Sequence, residues 1–297
     1  MADSQPTTHP PNQPTNQPTT QPTQPPTHHA QILAWQQEME ANLRAEDSWL
    51  AVAGLFWLQD GRNSFGSDPT NDIVLPEVAP ARAGSFIFEA GQTRLEVADG
   101  MEITVDGEAV TEAHLRPDMP GPPSLVGVNG LLLHVIGRGT RYAIRLRDKN
   151  SPTRRNFTGR RWFPIQADYR VEAQFTPYEP AKELLIPDVL GQTTAMASPG
   201  YVTFSLHGQQ VRLDIVEERG GQPYFIFKDR TSGQTTYPPG RFLLAAWLDE
   251  RRIMIDFNQA YNPPCAFTAY ATCPLPPPQN HLPIAIEAGE RYGKGEG

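Results

Sequence analysis

The chain is poor in the features that announce common functions. It has only 2 cysteines in 297 residues. That is too few for a disulfide framework or for a structural zinc site of about four ligands. No uninterrupted apolar run approaches the ~18 residues of a membrane span, and the start lacks a basic then apolar leader pattern. A cytoplasmic protein without membrane contact is the expectation. Basic excess is missing too: Lys and Arg number 25 against 33 Asp and Glu, for a net charge of −8 and a pI near 5.4. That balance argues against a general nucleic-acid surface. There is no Walker loop, HExxH pair, Gly-x-Ser-x-Gly elbow or dinucleotide fingerprint, which weighs against ATPase, metzincin, α/β-hydrolase and Rossmann readings.

What is present divides the chain into four stretches. Residues 1–29 consist almost wholly of Pro, Thr, Gln, Asn and His. Such a segment has nothing to anchor in a core and reads as a disordered tail. Residues 30–60 form a lead-in. Ile32, Trp35, Met39 and Leu43 fall near one face of a helix over residues 30–45. An apolar run from Leu55 to Leu58 follows. Helical periodicity is absent after this point. Residues 61–150 read as short strands at 72–75, 85–88, 93–97, 103–105, 131–135 and 142–146. Residues 151–297 hold a second series at 169–175, 202–206, 211–216, 224–227, 241–246, 252–257 and 283–287. Asp106-Gly107, His207-Gly208 and Gly220-Gly221 are hairpin signals. The fold class is therefore all-β: an antiparallel β-sandwich, then a larger antiparallel sandwich or barrel, after a short N-terminal helix. The basic group Arg154, Arg155, Arg160 and Arg161 reads as a solvated loop between the halves.

The chemistry concentrates between Asp256 and Glu290, where Pro, Asn and Gly fix the backbone and Asp, Asn, Cys and Glu offer polar groups. Asp256 near the end of an apolar strand needs a partner if buried. Arg241, just after the Pro238-Pro239-Gly240 turn, is the expected one, as a structural pair or as the grip of a ligand mouth. Asn258, Tyr261, Asn262 and Asn280 either satisfy loop backbone or face a ligand. Cys265 reads as a buried thiol, as a nucleophile served by His281, as a metal ligand, or as one half of a redox pair with Cys273. Glu290 with Asp256 makes a possible carboxylate pair for acid–base work. Asp229, Thr231 and Tyr237 lie in a loop leading to Arg241 and could approach the same mouth. The spacing matches no zinc motif, so no metal ligands are assigned, and the cofactor is left open.

Two resemblances add to this. The segment GRNSFGSDPTNDIVLPEVAPARAGSFIF resembles the opening of a forkhead-associated domain, a β-sandwich that binds phosphothreonine peptides. Ser67 follows Gly66 where that family places a phosphate-binding Arg, and Ala81-Arg82-Ala83-Gly84 stands in place of its Ser-Arg-x-His signature. The resemblance thus implies the scaffold without that activity. The second resemblance covers nearly all of the chain beyond the tail, which on four segments is similar to the domain-of-unknown-function family number 1684. The segments are SWLAVAGLFWLQDGRNSFGSDPTNDIVLP, RYAIRLRDKNSPTRRNFTGRRWFP, FKDRTSGQTTYPPGRFLLA and DFNQAYNPPCAFTAYATCPLPPPQNHLPIAIEAGE. That family implies no activity. The leading expectation is a protein that binds a small polar or anionic ligand through Arg241, Asp256, Asn258, Tyr261, Asn262, Cys265, Cys273, Asn280 and Glu290. The alternatives are an enzyme using Cys265 or the carboxylate pair, and a scaffold that recruits a protein partner.

Overall fold

The computed structural model describes residues 26–293. Most of the tail expected over residues 1–29 lies outside the described residues. Its end belongs to a helix instead. Thr27 accepts the amide of Ala30 and caps α1 (His28–Arg44), which starts two residues before the expected position. His28 then reaches across to Asp256, with Nε2 2.5 Å from Oδ2.

The first half is a sandwich of two sheets. Its strands are β1 (Val52–Trp57), β2 (Gly61–Gly66), β3 (Ile73–Val74), β4 (Gly84–Glu89), β5 (Gln92–Val97) and β6 (Thr104–Val105). They continue with β7 (Glu108–Ala109), β8 (Glu112–Leu115), β9 (Val126–Val128), β10 (Leu131–Arg138) and β11 (Arg141–Asp148). One sheet runs β1-β11-β10-β9-β6-β7 and the other β3-β2-β4-β5-β8. All pairs are antiparallel except β2 with β3. Phe65 and Phe86 stack 4.5 Å apart between the sheets, with Leu95, Leu133 and Ile144 around them. Burying one such side chain stabilises by about 1.5–3 kcal/mol. The outer face of β10 and β11 is also covered, because His134 and Arg145 are buried there. What covers it comes from other parts of the chain: Arg145 lies over the Trp49 ring, and Arg138 donates to Thr272 Oγ1.

A short helix, α2 (Pro152–Arg155), leads to the second half. Its strands are β12 (Arg170–Pro187), β13 (Thr193–Leu206), β14 (Gln209–Asp214), β15 (Glu217–Arg219), β16 (Gln222–Phe227), β17 (Arg241–Leu244), β18 (Ala246–Trp247) and β19 (Arg252–Asp256). One sheet runs β14-β13-β12-β19-β18 and a smaller one β15-β16-β17. Phe204, Phe225, Phe227, Phe257, Ile253 and Ile255 fill the space between them. No sheet among the described residues closes into a barrel. The protein is thus an all-β chain of antiparallel sheets with one N-terminal helix.

Three turn signals behave as their chemistry dictates. Asp106-Gly107, His207-Gly208 and Gly220-Gly221 all take positive φ at both central residues and join consecutive strands. Two expectations need correction. The strands expected at 169–175 and 202–206 are the inner ends of a much longer hairpin, β12 with β13, which pairs on from Lys182 with Ser198 to Pro187 with Thr193. Residues 176–183 are largely exposed and polar, so no apolar alternation marks them. The strand expected at 283–287 does not form. Pro283 has no amide to donate, and the neighbouring backbone is taken up by side chains. The Ile286 amide donates to Asp229 Oδ1, and the Ile286 carbonyl accepts Arg241 Nη2 at 2.9 Å.

Candidate functional site

The segment from Asp256 to Glu290 folds over one end of the second half, and its polar residues divide into three groups. In the first group, side chains replace missing backbone partners. Asp256 caps the turn Phe257–Gln259 by accepting the amide of Asn258 (3.0 Å) and its Nδ2 (2.8 Å). Asn258 uses its remaining reach on Gln166, accepting its amide and donating to its carbonyl. Asn280 is wholly buried. It accepts the Asp214 amide and donates to the carbonyls of Asp214 and Ile226. These amides act as surrogate strands, stapling an irregular segment to the sheets.

Arg241 belongs to this group, and its expected partner was wrong. Its ion pair is with Asp229, Nη2 to Oδ2 at 2.9 Å, and both side chains are fully buried. The guanidinium also donates to the carbonyls of Ile286 and Ala288. Burial pulls its pKa down, opposed by the Asp229 carboxylate. Asp229 accepts from the Thr231 amide and hydroxyl as well. Nη1 and Nη2 are thus spent on protein, Nε is buried without a partner among the described residues, and Arg241 lines neither of the clefts at Arg160. Asp256 pairs with His28 instead of Arg241.

The second group surrounds Glu290. The backbone of 289–291 runs beside 161–163: the Phe163 amide donates to Gly289 O, and the Arg291 amide to Arg161 O. Gly289 has φ 77°, and a Cβ there would lie 2.5 Å from Ala260 O. Only glycine passes this close to the Phe257–Gln259 turn. The next residue, Glu290, is thereby turned inward with 1 % exposure. Its Oε2 accepts from Arg160 Nη1 at 2.5 Å and from the Asn262 amide at 2.7 Å. Asn262 also donates from Nδ2 to Arg291 O. Glu40 of α1 accepts the Arg160 amide at 2.8 Å, so the helix holds the arginine's backbone. Trp35 of the same helix meets Trp162 and Tyr261 edge to face.

Burial raises the Glu290 carboxyl to about 7, even against the pull of Arg160 and the Asn262 amide. An acid titrating there, beside a fixed guanidinium, can give or take a proton at neutral pH. Arg160 Nε and Asn262 Oδ1 are buried without hydrogen-bond partners among the described residues. Two clefts meet here. One, of about 770 Å³, is lined by Arg160, Arg161, Arg291, Glu290, Phe267 and Tyr292 among others. The other, of about 380 Å³, is walled largely by apolar and aromatic groups, among them Leu43, Trp49, Phe242, Tyr261 and Pro264. Arg160, Asn262 and Phe267 line both.

The third group is the cysteine pair. Cys265 and Cys273 are both free thiols, and the Cys265 amide lies 3.2 Å from Cys273 Sγ. The groups that act on the Cys265 thiol are Cys273 and Tyr237, not His281, whose backbone pairs with Lys228. The proposed carboxylate pair is also divided. Glu290 lines the large cleft, while Asp256 lines a separate small one with His28 and Arg170. Among the described residues no group of three His, Cys, Asp or Glu side chains is placed to hold a metal ion.

Of the sequence candidates, then, Tyr261, Asn262 and Glu290 gather at the clefts, with Cys265 and Cys273 adjoining as a pair. Arg241, Asp256, Asn258 and Asn280 do not join them. Sequence reading missed Arg160, which was grouped with a solvated basic loop; its side chain is only 6 % exposed. Arg154 is likewise engaged, donating to the Arg44 and Ala45 carbonyls at the end of α1. The available signal was the aromatic interleaving around Arg160 and Arg161, with Phe157 before them and Trp162-Phe163 after.

Fold and site together define an all-β protein with a buried arginine–glutamate pair between two clefts. Residues 155–291 match the family described as Protein of unknown function (DUF1684), and the match contains every residue of the Glu290 group from Arg160 onward. The chain is similar to an uncharacterized protein of Haloarcula marismortui, solved by NMR. The two are 31 % identical, over 48 % of this chain and 80 % of that one, with a TM-score of 0.39. It is also similar to the FHA-2 domain of the Mycobacterium tuberculosis ABC transporter Rv1747 (22 % identity, 30 % and 77 % covered, TM-score 0.22). A third likeness is to the FhaA FHA domain complexed with the intracellular domain of Rv3910 (15 % identity, 31 % and 97 % covered, TM-score 0.23). The forkhead-associated likenesses fall on the N-terminal part of the chain. Nothing among curated proteins matches. No helix among the described residues is long and apolar enough to cross a membrane.

Proposed function

We propose that this protein binds a small anionic ligand, a carboxylate or phosphate, in the cleft at Arg160. The observation that carries this reading is the set of arginines on one cleft wall. Arg160, Arg161 and Arg291 all line it, with Glu290 the single acid among the described lining residues. Arginine presents paired N–H donors that match carboxylate and phosphate oxygens. Arg160 is held on Glu290 through Nη1 alone, which leaves its buried Nε without a partner. Asn262 Oδ1 adds an unpartnered acceptor for a ligand hydroxyl or amide. A cytoplasmic setting is part of the reading, and the two close, unbonded cysteines fit a reducing compartment.

The test is calorimetric titration of the full chain with inorganic phosphate and with citrate, at constant ionic strength set by chloride. Arg161 and Arg291 are the rim residues to change, because neither is paired with Glu290. Saturable one-to-one binding to the wild type, weakened at least about tenfold in Arg161→Gln/Arg291→Gln, is expected; that is a loss of about 1.4 kcal/mol. Binding that the double variant leaves unchanged would place the anion elsewhere. No saturable heat with either probe at millimolar concentration would count against the reading.

A further inference from the structure

The cysteine pair is not used by the anion site, yet its surroundings are unusual for buried structural thiols. Cys265 sits on the turn Pro264–Ala266 and is partly exposed, whereas Cys273 is buried. The Cys265 amide donates to Cys273 Sγ at 3.2 Å and the two thiols hydrogen-bond one another, so the sulfurs are neighbours, as a bond of about 2.05 Å requires. Tyr237 donates its hydroxyl to the Cys265 carbonyl at 2.9 Å, which holds a proton donor over the same turn.

A cation lies behind the pair. Arg145 is 3 % exposed, with Nε and Nη2 unpartnered among the described residues. It rests over the Trp49 ring, and Trp49 and Cys265 pack on the cluster that contains Cys273. The charges of Arg145 and Cys273 act on one another. The group facing Arg145 across the sheet is His134, which burial pulls to about 4, so at neutral pH it is uncharged and adds no second positive charge. The Asp118 carboxylate acts on Arg145 from a distance but is itself paired with Arg138, and a buried guanidinium with no directly paired acid favours negative charge beside it. The two thiols are tuned apart as well. Hydrogen bonding by the Cys273 thiol brings Cys265 down to about 7 against the effect of burial, while Cys273 is pushed up by donating to Cys265 and by burial.

We propose that Cys265 and Cys273 are a peroxide-reactive dithiol, with Cys265 the attacking sulfur and Cys273 the resolving one. The oxidant is hydrogen peroxide. The Cys265 thiolate attacks one peroxide oxygen; the S–O bond forms, the O–O bond breaks, and the departing hydroxide takes up the proton released by Cys265 as water. Cys273 then loses its proton and its sulfur attacks Cys265. The S–S bond forms, the S–O bond breaks and a second water leaves. Two thiols are oxidised by two electrons and one peroxide is reduced to two waters. The disulfide closes on a turn that also carries Ala266 and Phe267, both part of the large cleft's wall.

Intact-mass analysis of the full chain after treatment with one equivalent of hydrogen peroxide tests this. The wild type should lose two hydrogens as a monomer and recover them with dithiothreitol. Cys273→Ser should stop at the sulfenic acid and gain one dimedone adduct at Cys265, while Cys265→Ser should gain none. Chemical denaturation of both variants checks that they fold. A wild type that adds oxygen atoms without losing two hydrogens would overturn the proposal. So would an unchanged mass, or a disulfide between two chains. Dimedone labelling of Cys273 in folded Cys265→Ser, with none at Cys265 in Cys273→Ser, would reverse the assigned roles and overturn it as well.

Discussion

The titration of Glu290 gives the account a quantitative edge. A free glutamate carboxyl has a pKa near 4.5, and burial raises this one to about 7. Between those values the folded chain holds a proton that the unfolded chain has already released. Stability therefore falls as pH rises through this window and levels off above it. The gap between 4.5 and about 7, at about 1.4 kcal/mol per pH unit, amounts to roughly 3 kcal/mol. Other groups titrate in the same range, so the useful observable is the difference between wild type and Glu290→Gln. Glutamine keeps an oxygen for Arg160 and for the Asn262 amide but cannot ionise. Urea denaturation of both proteins at intervals across the window would follow the difference. The wild type should lose about 3 kcal/mol relative to the variant on going from acid to neutral pH. A flat difference would mean an ordinary carboxyl. A wild type that gains on the variant as pH rises would mean that Arg160 and the Asn262 amide hold Glu290 below its usual value, and the reasoning about burial would be wrong.

Two further outcomes follow from the polar core. Arg241→Ala leaves Asp229 charged and buried with the carbonyls of Ile286 and Ala288 unpaired; urea unfolding should show a loss of about 3–5 kcal/mol, whereas an unchanged midpoint would return Arg241 to the list of ligand contacts. Asn280→Ala strips partners from the Asp214 amide and from two carbonyls. It should cost at least about 1–3 kcal/mol in the same assay, and a loss under half that would show that the staple is dispensable.

Much of the architecture is legible because its determinants are local. The three Gly-containing hairpin turns, the alternation along β5, and the apolar runs of β10 and β19 each depend on a few neighbouring residues. What failed depends on distant partners. Arg241 was assigned to Asp256 because both stand near strand ends, but Asp229, reached through the turn at Thr231, is the acid enclosed with it. Residues 283–287 look like a strand because they alternate, yet Pro283 and the Arg241–Asp229 pair replace the ladder. Arg160 was invisible for the same reason: its burial comes from α1, from Phe267 and from Glu290, which lies 130 positions away. Within the 256–290 segment the residue types were right, and contacts outside it decided which of them face a cleft.

The central claim is that the cleft at Arg160 holds an anion. Crystals of the full chain soaked in selenate, which has the shape and charge of a phosphate-type oxyanion and scatters anomalously, give the most direct test. The account predicts an anomalous peak within hydrogen-bond reach of the Arg161 and Arg291 guanidinium groups and of Arg160 Nε, lost in Arg161→Gln/Arg291→Gln. Peaks confined to other surfaces, with this cleft empty at the same selenate concentration, would contradict it.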